Sequence, residues 1–82
     1  MHNAKEYVIR LTAFDLGQLI DGLEVRARAW RDTATYLQTG EAPSWDFVTE
    51  ECSDAEEATR LADHYDRIIH SLLEQKAEQD RR

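Results

Sequence analysis

Asp66, His70 and Glu74 are three side chains with metal-binding chemistry, standing four residues apart in the last quarter of an 82-residue chain. On a helix, positions i, i+4 and i+8 fall along one face, and carboxylate with imidazole suits a transition metal. Three ligands in a line coordinate poorly unless a second chain helps, and a carboxylate four residues from a histidine is ordinarily a surface pair. His64 and His70 are about 120° apart around a helix, so they do not chelate together. The expectation is no metal and no cofactor, with Asp66, His70 and Glu74 as the residues to test.

Cys52 is the other reactive group. As the only cysteine it forms no disulfide within the chain, which fits a reducing, cytoplasmic setting. It just precedes a helix start, with Glu50 and Glu51 beside it and no histidine near in sequence, and it reads as a buried or inert thiol. Serine–histidine–aspartate and glycine-rich phosphate-loop motifs are absent. The chain is expected not to be an enzyme.

Charge is the clearest organisation. The net charge is −7, from 17 acidic and 10 basic residues. Residues 1–37 and 60–82 each balance to zero, whereas residues 38–59 hold Glu41, Asp46, Glu50, Glu51, Asp54, Glu56 and Glu57 with no Lys or Arg. Nucleic-acid binding needs cations against phosphates, so the balance argues against it. A dense carboxylate surface suits a basic protein partner, and it can imitate a phosphate backbone. The expected partner-binding residues are Glu41, Trp45, Asp46, Phe47, Glu50, Glu51, Asp54 and Glu57, with Trp45 and Phe47 as apolar anchors.

The elements that position these groups follow from periodicity. Residues 6–12 alternate, with Tyr7, Ile9 and Leu11 on one side and Val8, Arg10 and Thr12 on the other, which predicts a short strand. Thr12 followed by Asp15 approximates a capping box, so a helix is expected over 13–38. Its apolar stripe is Leu16, Leu19, Ile20, Leu23, Ala27, Trp30, Ala34 and Leu37. Gly17 and Gly22 are costly inside it, and they either permit a close approach or mark a softer first half. Gly40 is expected to end it in a left-handed cap. Residues 39–52 form the connection, where Pro43 opposes helix and Trp45, Phe47 and Val48 are expected to plug the open end of the hairpin. Ser53-Asp54-Ala55-Glu56 reads as a capping box for a second helix over 54–77, with Ala58, Leu61, Ala62, Tyr65, Ile68, Ile69, Leu72 and Leu73 facing inward. Residues 78–82 are expected to fray.

No stretch approaches the ~20 apolar residues of a membrane span, and the first residues contain no apolar leader segment. One strand leaves both its edges unpaired, and two amphipathic helices supply half of a four-helix core. A two-fold homodimer answers both problems. The expected fold is mainly α: a short N-terminal β-strand and a long antiparallel helical hairpin, one domain, paired as a dimer.

The stretch YVIRLTAFDLGQLIDGLE (7–24) resembles the opening of ribbon–helix–helix repressors, a short strand followed by a helix starting at Thr and carrying Leu residues. That resemblance implies a DNA-binding strand dimer with Val8, Arg10 and Thr12 facing the groove. The family breaks its first helix early, whereas this apolar stripe runs on through Trp30 and Leu37. The acidic run through Asp63 and Asp66 also resembles the helices of metal-dependent nucleotide hydrolases, but the first helix lacks the matching E-x-x-E. The leading expectation is a small acidic protein–protein interaction module, a regulator or inhibitor of the kind carried by phages and mobile elements. The alternatives are a ribbon–helix–helix-like DNA binder and a metal-dependent enzyme or metal-binding helical protein.

Overall fold

Steps of four and three residues carry the buried seam in the computed structural model, which describes residues 5–82. Helix α1 spans Ala13–Thr39 and helix α2 spans Ala55–Asp80, and the two pack as an antiparallel hairpin. Along α1 the seam is Leu16, Ile20, Leu23, Ala27, Trp30 and Ala34; along α2 it is Ala58, Ala62, Tyr65, Ile69 and Leu72. That spacing is the one that keeps two helices in register along their length.

The core has two parts joined by Tyr65. Near the connection, Trp30 and Ala34 pack with Ala58 and Ala62, and Cys52, Leu61 and Tyr65 close around them. Towards the free ends, Ile20, Ala27 and Ile69 pack with Leu16, Leu23, Leu72 and Tyr65. Four alanines at the seam bring the backbones close, so one large ring, Trp30, fills the gap beside Ala58 and Ala62. The Trp30 indole N–H is buried with no acceptor among the described residues. Arg31 ties the helices from outside, paired with Asp66 and 3.9 Å from Asp63.

The caps explain where the helices start and stop. Thr12 Oγ1 accepts from the Asp15 backbone N–H at 3.1 Å, as the sequence predicts. Gly40 ends α1 at φ 79° and donates its N–H to the Tyr36 carbonyl, a left-handed conformation in which a side chain would be strained. The start of α2 differs by one residue from the capping box expected at Ser53. Asp54 is the N-cap, with Oδ1 accepting from the Glu57 N–H at 2.8 Å, while Glu57 Oε1 accepts from the Ser53 N–H at 2.6 Å. Two carboxylates make stronger bonds to these N–H groups than the Ser53 hydroxyl and Glu56 would, so Asp54-x-x-Glu57 prevails.

Three further expectations are corrected. No β-strand occurs among the described residues, and residues 5–12 run without regular structure into α1. A strand is held by a neighbour, and no backbone hydrogen bond joins residues 6–11 to another described residue. Helix α2 extends to Asp80, past the end at 77 expected for it, with Lys76–Asp80 at 2.8 Å and an Arg81–Glu78 pair in its last turn. Leu19, Leu37 and Leu73 lie on the apolar stripes but are largely exposed, because a two-helix hairpin covers only the centre of each stripe. None of the helices is long and apolar enough to cross a membrane.

Candidate functional site

The connection between α1 and α2 is a loop pinned at several points, and the pins decide which of its side chains face solvent. Ser44 opens a turn whose Phe47 N–H donates to the Ser44 carbonyl at 3.3 Å, and the Ser44 hydroxyl donates to Asp46 Oδ1 at 2.7 Å. Ser and Asp stabilise turns through such local bonds. Phe47 leaves the turn inward, its ring tilted against Tyr36 with centroids 5.6 Å apart. Three residues on, the Glu50 backbone N–H donates to Thr33 Oγ1 at 3.0 Å. Thr33 is fully buried, and this bond is what makes its hydroxyl tolerable in the core.

Glu50 is a clasp. Its carboxylate pairs with Arg26 on α1, and the Arg26 guanidinium also lies over the Trp30 ring, 5.3 Å from the centroid. Hydrogen bonding to Tyr65 first, then to Glu50, raises the Arg26 pKa above its already high ordinary value. Arg26 thus connects α1 and the connection through one charge.

The pinning leaves Trp45 at the outer corner of the turn, 97% exposed. The expected plug is therefore corrected: of Trp45, Phe47 and Val48, only Phe47 packs, while Trp45 and Val48 project from the surface. The turn sends its second residue outward and its fourth back to α1, so one loop cannot bury all three.

The eight residues expected at a partner surface divide. Glu41, Trp45, Asp46 and Glu51 are exposed on the connection. Glu50 is drawn onto Arg26, Asp54 and Glu57 are spent on the α2 cap, and Phe47 faces Tyr36. Thr33 and Arg26, which organise the site, were not among the expected residues. Their signal lies in spacing: Arg26 is one turn before Trp30, and Thr33 is one turn after it on the same side.

The residues weighed for metal are dispersed. Asp66 pairs with Arg31, and His70 Nε2 lies 3.3 Å from Glu74 Oε2 in an exposed pair. No group of three His, Cys, Asp or Glu side chains among the described residues is arranged to hold an ion. The Cys52 thiol is half-buried against the first core cluster and donates to the Asp54 carbonyl at 3.6 Å. A shallow depression of about 260 Å³, lined by His64, Arg67, Ile68, Ser71 and Leu72, belongs to the surface of α2 alone. Val8 and Arg10, which the ribbon–helix–helix resemblance places in a groove, are exposed, while Thr12 is engaged as the N-cap of a helix that runs unbroken for 27 residues. No family model, curated protein or solved structure matches this chain.

Proposed function

We propose that this chain is a non-enzymatic interaction module, a small regulator or inhibitor that works as a homodimer and docks a basic protein surface through the connection between its helices. The observation that supports this reading most is Trp45. A large ring costs free energy in water, and here it is held outward by a turn that hydrogen bonds and a ring contact fix in place. Tryptophan is the residue type most often found to anchor an interface, where a preorganised side chain loses little entropy on binding.

The surroundings supply the partner's chemistry. Glu41, Asp46 and Glu51 lie exposed on the connection, and residues 38–59 contain no cation to offset them. Such a rim selects a basic partner and speeds its approach more than it adds affinity. The partner therefore presents an apolar pocket for an indole, ringed by Lys or Arg.

Capture from the native cell tests this reading when three baits are compared: wild type, Trp45→Ala and the double variant Glu41→Lys, Glu51→Lys. All three keep the helical hairpin, because none of these side chains enters the core. A protein held by wild type and lost from both variants supports the reading. The same proteins held by all three baits refute it.

A further inference from the structure

We propose that residues 6–10 form an antiparallel two-stranded ribbon with the same residues of a second copy, in one register set by a twofold axis through Val8. The inference deepens the homodimer proposed above by naming its interface. In this chain the segment is left bare: Val8 is 98% exposed, Tyr7 and Ile9 are exposed, and the backbone of residues 6–11 makes no hydrogen bond to another described residue. Backbone groups and β-branched or aromatic side chains in alternation are what a second strand would satisfy.

The occupant is argued from self-complementarity. With the axis at Val8, Glu6 stands opposite Arg10 of the second copy, and Arg10 opposite its Glu6, giving two opposite-charge pairs on one face. On the other face Tyr7 stands opposite Ile9 of the second copy, and the reverse, giving two aromatic–β-branched pairs. Moving the axis to Ile9 keeps an apolar face, with Tyr7 opposite Leu11, but loses both charge pairs, since Arg10 would meet Val8 and Glu6 would meet Thr12. The two charge pairs thus favour the register centred on Val8. A two-stranded ribbon alone is marginal in water. Phe14, exposed in the first turn of α1, extends the apolar run from Leu11 and supplies area that the ribbon lacks.

The test is the mass of the full chain by sedimentation equilibrium, for wild type, Glu6→Arg, Arg10→Glu, the double variant, and an equimolar mixture of the two single variants. Wild type is expected as a dimer at micromolar concentration. Each single variant turns two attractions into two repulsions and weakens the dimer about tenfold or more. The double variant and the mixture both regain it, because each restores opposite charges across the ribbon. A monomeric wild type overturns this inference and the homodimer together. A wild-type dimer that ignores the single reversals, or a mixture that fails to recover, overturns the ribbon while leaving a dimer through another surface. Circular dichroism confirms that the hairpin persists in every variant.

Discussion

Arg26 and Glu50, 24 residues apart in sequence, form an ion pair that fastens the connection to the middle of α1. The same guanidinium lies over the Trp30 ring, so one side chain joins the connection to a ring of the core. Its pKa is raised in the folded state, and a raised base stabilises the fold below its unfolded pKa and loses that contribution as pH rises through the folded value. For arginine both lie at strongly alkaline pH. Arg26 therefore lends the clasp a constant charge across the neutral range, and the clasp is not a proton switch on the arginine side.

Thr33→Val keeps the shape of a fully buried side chain and removes the acceptor for the Glu50 N–H. Stability is expected to fall by about 1–3 kcal/mol, the usual cost of stranding a buried donor. Thr33→Ser, which keeps the hydroxyl, is expected to lose less. Urea denaturation measures both, and a larger loss for Thr33→Ser than for Thr33→Val would show that the methyl rather than the hydrogen bond matters.

The helix cap gives a residue-level contrast. Asp54→Ala removes the side chain that accepts from the Glu57 N–H and is expected to cost ~1 kcal/mol. Ser53→Ala is expected to be nearly neutral, because Ser53 contributes its backbone N–H and not its hydroxyl. The reverse order in thermal unfolding would return the cap to Ser53.

Gly22→Ala should stabilise the hairpin. Gly22 lies within α1, and a Cβ added there meets nothing within 4 Å. Ala exceeds Gly by about 0.8–1 kcal/mol in a helix interior, a gain that chemical denaturation detects. A loss instead would mean that another molecule packs at this position.

Much of the fold is legible in the residue pattern, because apolar spacing reports directly which side of a helix is covered. Leu16 to Ala34 and Ala58 to Leu72 give both helices, and Thr12 and Gly40 bound α1. The cap at Asp54 was missed by one residue because Ser53-x-x-Glu56 and Asp54-x-x-Glu57 overlap, and spacing alone does not rank a hydroxyl against a carboxylate. The strand over 6–12 was expected from alternation, which records what a segment suits and not whether a neighbour is present. The site was legible as composition, an acidic stretch with two aromatics, but not as geometry. Which of Trp45 and Phe47 turns inward depends on the turn at Ser44 and on Tyr36, and Glu50 is withdrawn from the surface by Arg26, a contact across 24 residues.

The central claim is that Trp45 anchors a basic partner. Titration calorimetry of the captured protein against wild type and Trp45→Ala tests it most directly, at low and at raised salt. The expected result is a loss of roughly 30-fold or more in affinity for Trp45→Ala, an anchor contribution of about 2 kcal/mol, together with binding to wild type that weakens as salt screens the acidic rim. Equal affinity of the two proteins, or binding indifferent to salt, would contradict it.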